Sequence, residues 1–174
     1  MQAESQRTES ASVIIFTDGA CIGNPGQGGY GVVLLDGLRR IEFSGGFRLT
    51  TNNRMELMAA IVGLETLQLQ SKVTIYTDSK YLQEGIGRGW ARSWHANGWR
   101  KKKGTRTNCD LWDRLLKLCD HHDVEFIWLP GHSGNGENER CDWLATHAAR
   151  RDHLPVDLGY RPRCAEPISR GWGQ

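Results

Sequence analysis

Two stretches of this chain end in the same way. Val13-Ile14-Ile15-Phe16-Thr17-Asp18 and Val73-Thr74-Ile75-Tyr76-Thr77-Asp78 are β-rich runs that stop on Thr-Asp. Short apolar runs of this kind read as buried strands. Between them the period changes: Leu57, Ile61 and Leu64 stand at i, i+4 and i+7, the stripe of an amphipathic helix. A strand, a helix and a second strand that ends like the first predict a parallel pair joined by a crossover. Functional groups gather at the carboxyl ends of such strands, which is where both aspartates stand.

The rest of the chain fills in around that pair. Residues 19–29 are rich in glycine, with Asn24 and Pro25 among them, and read as a loop. Residues 30–35 and 39–47 read as two more strands joined at Asp36-Gly37, a hairpin signal. Asn53 and Glu56 have capping-box spacing, so the first long helix is expected to start there and run to about Leu69. Short helices are expected at 79–84 and 90–95, a basic loop at 98–108, a helix at 110–120, a strand at 124–129, a Gly- and His-containing loop at 131–136 and a closing helix at 137–150. The fold class is α/β: a five-stranded mixed sheet, three antiparallel strands then parallel strands, flanked by helices. The expected domain spans 13–154, between a flexible tail at 1–12 and a Pro- and Gly-containing C-terminal tail at 155–174.

The formal net charge of +2 says little about partners, but its distribution says more. From Lys80 to Arg106 eight cations face one acid, Glu84, and Trp90, Trp94 and Trp99 are interleaved with them. Such a mixture suits a polyanion that also offers flat rings. The five cysteines are odd in number and contain no CxxC pair, which argues against a zinc site and for reduced thiols in the cytoplasm. Residues 1–12 lack the apolar run of a signal peptide, and no stretch suits a membrane helix.

Asp18 and Asp78, side by side, would repel unless a cation lay between them. Glu56 and Asp142 could close the same corner from two helices. Four carboxylates make an all-oxygen site suited to magnesium or manganese, and such a site can hold two ions about 3.5–4 Å apart for in-line phosphoryl displacement by water. Each acid also has a plain reading: a turn or cap residue for Asp18 and Asp78, a capping box for Glu56, a solvated helix face for Asp142. Spacing alone leaves both readings open.

Four segments together resemble one family. Thr17-Asp18-Gly19-Ala20-Cys21 with Gly23-Asn24-Pro25-Gly26, Thr51-Asn52-Asn53-Arg54-Met55-Glu56-Leu57, Thr77-Asp78-Ser79-Lys80-Tyr81, and Gly131-His132-Ser133 with Glu137-Asn138-Glu139-Arg140-Cys141-Asp142 are similar, in order and spacing, to bacterial ribonuclease H type 1. The resemblance runs from about Val13 to Arg150. It implies the RNase H-like fold and endonucleolytic cutting of the RNA strand of RNA–DNA hybrids with two magnesium ions, manganese being a substitute, leaving 5′-phosphate and 3′-hydroxyl ends. It implies that Asp18 bridges both ions, that Glu56 and Asp78 bind the leaving-group ion, and that Asp142 completes the ion holding the water. His132 would assist proton transfer or product departure, which suits an imidazole near neutral pH. Cys21, Asn24, Asn52 and Asn53 would line the minor groove of the hybrid, where 2′-hydroxyls distinguish RNA from DNA. Lys80 and the handle at about 88–108, with Trp90, Trp94, Lys101, Lys102 and Lys103, would contact the backbone. The expected protein is a cytoplasmic monomer. Gly87-Arg88-Gly89 is one residue longer than the family pattern and the loop after Trp99 correspondingly shorter, so handle positions align less directly than the carboxylates. A strand-transfer or junction-resolving nuclease on the same fold, and a non-catalytic hybrid-binding module, are the competing readings.

Overall fold

The computed structural model describes residues 12–160. Residues 1–11 and 161–174, which hold most of both expected tails and Cys164, lie outside the described residues. Five strands form one sheet in the order β3-β2-β1-β4-β5. β1 (Val13–Ile22), β2 (Gly26–Asp36) and β3 (Arg39–Thr50) form an antiparallel meander. β4 (Lys72–Thr77) pairs with β1 in parallel, and β5 (Asp123–Trp128) extends the parallel half. The five-stranded mixed sheet expected from the alternating pattern is therefore the architecture found.

Helices cover both faces. α1 (Asn52–Glu65) packs on β1 and β2, with α4 (Cys109–His121) beyond it; α5 (Gly136–Ala149) lies across β1, β2 and β3 on the other face. Val13, Ile15, Val32 and Leu34 point into the α1 side, whereas Phe16 and Val33 meet Cys141 and Leu144 of α5. This is the two-residue alternation of a sheet buried on both sides. α2 (Lys80–Gly87) and α3 (Trp90–Ala96) follow β4 and lead into the basic loop. Trp112 of α4 is fully buried and anchors this end, with Tyr81 and Trp94 edge-on to it.

Several boundaries differ from the sequence expectation, each for a tertiary reason. Residues 19–22 and 26–29 are strand, not loop, so Asp18 lies inside β1 rather than at its end. Glycines that suggested a loop serve close packing: a side-chain carbon at Gly29 would stand 2.3 Å from the carbonyl oxygen of Ala145. In the same strand one at Gly31 would stand 2.2 Å from that of Cys141. α1 is capped by Thr51, not Asn53, and ends at Glu65, where the Thr66 hydroxyl donates back to the Gly63 carbonyl. It is buried on nearly every side instead of along one stripe, because sheet and α4 enclose it.

The expected C-terminal tail is also held at its start. Asp157 is buried and accepts hydrogen bonds from Arg54 Nε and Nη2, at 2.7 and 2.8 Å, and from Thr50 Oγ1 at 2.7 Å. Arg54 in turn grips Asp110 at the start of α4 with two bonds of 2.9 and 2.7 Å. One buried guanidinium thus joins the start of α1, the start of α4 and the segment after α5.

Candidate active site

The parallel register between β1 and β4 ends at Thr17 opposite Thr77, so Asp18 and Asp78 follow as neighbours. Both threonines are buried, and the Thr77 hydroxyl accepts from the Ser79 amide at 3.1 Å, turning the chain out of β4. Glu56 arrives from α1. Its approach depends on Gly19, where any Cβ would stand 2.4 Å from the Glu56 amide nitrogen. Helix and strand backbones therefore touch at this point, and Glu56 faces inward; it is not a capping residue.

Ligand oxygens of Asp18, Glu56 and Asp78 lie within 4.8 Å of one another. Asp18 and Glu56 are only 6% and 5% exposed, and Asp78 is half-buried. Oδ1 of Asp18 accepts from the Gly19 amide at 2.7 Å, and Oε1 of Glu56 accepts from Asn52 Nδ2 at 3.2 Å. Oε2 of Glu56 is buried with no hydrogen-bond partner. Asp142, half-buried on α5, stands outside this 4.8 Å group, yet its charge still acts on Asp18. Burial, then Asp78, then Asp142, push the Asp18 carboxyl up to about 8. Burial and the charges of Asp18 and Asp78 hold Glu56 well above the usual carboxylate range. Asp18 and Glu56 lose their protons reluctantly in this crowded corner and one Glu56 oxygen is orphaned; a divalent cation would favour their ionised form and satisfy these hard oxygen donors.

His132 sits on the loop between β5 and α5, exposed and in the left-handed region at φ 52°. The loop abuts the acids at Gly131, where a Cβ would stand 2.8 Å from Asp78 Oδ2. Asn24 and Asn52 come together: the Asn24 side-chain oxygen accepts from the Asn52 amide at 3.1 Å. Half-buried Cys21 lies 3.6 Å from the Thr50 carbonyl, and Asn53 is exposed beside them. A cleft of about 990 Å³ continues from Asn24 and Asn53 past Asn108 to Tyr160.

The handle divides by environment. Trp94 packs into the core with the Arg106 guanidinium 4.6 Å above its ring, whereas Trp90 is 39% exposed under Arg88. Lys101, Lys102 and Lys103 project from the loop closed by the Arg100–Thr105 bridge, exposed and, among the described residues, without an ion-pair partner. Lys80 lies 5.4 Å from the centre of the Trp128 ring. Trp128 was not among the residues the sequence pointed to; its position as the last residue of β5, beside the His132 loop, was the available signal.

A meander followed by two parallel strands, with buried acids where β1 parts from β4, is the architecture of the ribonuclease H-like nucleases. The chain belongs to the RNase H family, whose model matches residues 10–150, and it is an enzyme of that family. It is 58% identical over 157 residues to a ribonuclease H of Trichodesmium erythraeum, covering 90% of this chain and 98% of that protein. Among solved structures it resembles LC9-RNase H1, a type 1 RNase H with the type 2 active-site motif: TM-score 0.73, 31% identity, 80% of this chain and 72% of that one. It also resembles LC11-RNase H1, solved in complex with RNA/DNA hybrid, with TM-score 0.62, 26% identity, 79% of this chain and 96% of that one.

Proposed function

We propose that the chain hydrolyses the RNA strand of RNA–DNA hybrids endonucleolytically, by in-line attack of water, leaving 5′-phosphate and 3′-hydroxyl ends. The observation that carries this reading is the close trio of buried Asp18 and Glu56 and half-buried Asp78, with the unpartnered Glu56 oxygen. Two divalent ions held by these acids, magnesium or manganese, would supply an activated water and neutralise the leaving oxygen.

The chain's own residues divide the remaining work. Asp18 would contribute to holding both ions, Glu56 and Asp78 the one that neutralises the leaving oxygen, and Asp142 the one that supplies the activated water. His132, exposed on its loop against Asp78, moves a proton at the scissile phosphate or eases product away. Cys21, Asn24, Asn52 and Asn53 read the hybrid minor groove, where small polar groups reach 2′-hydroxyls. Lys80, Trp90, Lys101, Lys102 and Lys103 take the backbone of the duplex, with Trp94 supporting the handle from beneath Arg106 instead of reaching the duplex itself, and the hybrid bound by LC11-RNase H1 supports that partner. The domain spans 13–154 with the handle at about 88–108, and works as a monomer in the cytoplasm, in keeping with free thiols at Cys21, Cys109, Cys119 and Cys141.

The test is cleavage of a hybrid end-labelled on its RNA, with magnesium or EDTA, beside RNA duplex, DNA duplex and single-stranded RNA. Magnesium-dependent cutting of RNA in the hybrid alone is expected. Binding without cutting would turn the reading to a non-catalytic module, and cutting of DNA duplex to a different nuclease on this fold.

A further inference from the structure

Asp78 follows the last residue of β4, so its backbone is outside the ladder that orders Thr77. Two contacts hold the β4 exit from the β5 side. The Leu129 amide donates to the Thr77 carbonyl at 2.9 Å. One position on, the ladder is replaced by a side chain: the indole Nε1–H of Trp128 donates to the carbonyl of Asp78 at 3.0 Å. The ring that carries this donor is 39% exposed and has Lys80 beside it, two residues beyond Asp78. On the other side of Asp78, Ser79 caps α2 by accepting from the Leu82 amide at 3.3 Å. Asp78 is therefore hung between a helix cap and an indole.

A Cβ stands one bond from the backbone, so an error in peptide orientation becomes an error in where the carboxylate points. We propose that Trp128 is a positioning residue for Asp78: its indole N–H sets the Asp78 peptide plane and so aims the carboxylate at Asp18 and Glu56. Tryptophan is suited to this task because its ring carries a donor and no acceptor. Phenylalanine would keep the ring and lose the donor. The inference rests on the reading of Asp78 as a metal ligand.

The experiment compares Trp128→Phe with the wild type and with Asp78→Asn. Manganese binding is measured by calorimetry without hybrid, and cleavage over a magnesium series with hybrid. Trp128→Phe is expected to weaken metal binding by a factor of roughly three to ten, the span of one hydrogen bond. At saturating metal its KM for hybrid should stay within about twofold, because Lys80 keeps an aromatic neighbour. Unchanged metal affinity in Trp128→Phe, with weakened affinity in Asp78→Asn, would overturn the positioning role and leave Asp78 a ligand. Unchanged affinity in Asp78→Asn would overturn the reading beneath it and the inference with it. If Trp128→Phe does not fold, NMR of the wild type decides: the Trp128 indole proton should shift with magnesium at the same midpoint as the Asp78 amide, and an unmoved indole overturns the proposal.

Discussion

Replacing Asp18 by Asn should stabilise the metal-free protein while abolishing cleavage. The carboxyl of Asp18 is raised from its usual 3.8 to about 8, first by burial and then by Asp78 and Asp142. Below about pH 4 the acid is protonated whether the chain is folded or not. Between pH 4 and 8 the unfolded chain releases that proton and the folded chain keeps it, so the folded state binds more protons and stability falls as pH rises. At about 1.4 kcal/mol per pH unit the ceiling on this loss is about 6 kcal/mol. Water reaching the corner past half-buried Asp78 and Asp142 lowers the expected figure to about 2–3 kcal/mol. Asn keeps the side-chain oxygen that accepts from the Gly19 amide, so little else changes. The assay is thermal unfolding in EDTA at pH 5 and pH 9. Wild type should lose stability between the two, and Asp18→Asn should be flatter and melt about 4–12 °C higher at pH 9. Magnesium should then raise the wild-type midpoint by mass action and leave the variant nearly unmoved. A variant no more stable than wild type at pH 9 in EDTA would refute the reasoning, because the crowded carboxylate would then not be costly.

His132→Ala should slow turnover roughly tenfold or more, with calorimetric metal binding unchanged; an unaltered rate would remove His132 from the chemistry. Joint replacement of Lys101, Lys102 and Lys103 by Ala should raise KM and reduce the salt slope of hybrid binding by about one to two, as fewer counterions are released; an unchanged slope would show that these lysines do not meet phosphate. Arg54→Met should cost about 3–5 kcal/mol in urea unfolding, since it leaves Asp157 buried without its cation; the double variant with Asp157→Asn should recover part of that loss.

The parts of this fold visible in the sequence are those that local pattern dictates. The β-branched runs before Asp18 and Asp78, and the change to helical period at Leu57, were enough for the sheet and its crossover. Glycine is ambiguous: Gly28 and Gly29 have the composition of a loop, but they keep the strand bare where α1 and α5 press on it. A side chain at Gly31 would act as a shim under α5, the helix that carries Asp142. Glu56 illustrates the same limit at the site. Its distance from Asn53 satisfies a capping rule, and only the approach of Gly19 turns it inward. Trp128 and Asp157 act on partners 50 and 103 residues away, beyond the reach of any local pattern.

Arg54 also bears on the order in which the molecule can be finished. Its side chain is 2% exposed, and one of its two acids comes from residue 157, beyond α5. On a ribosome the sheet and the five helices of the described residues can emerge while this cation still lacks half its counter-charge. The corner where Asn52 and Asn53 begin α1 is therefore completed late, when the closing segment arrives and seals a site laid down a hundred residues earlier. Nascent chains stopped short of Asp157 would carry the acids of the β1–β4 corner on a helix start not yet locked in place.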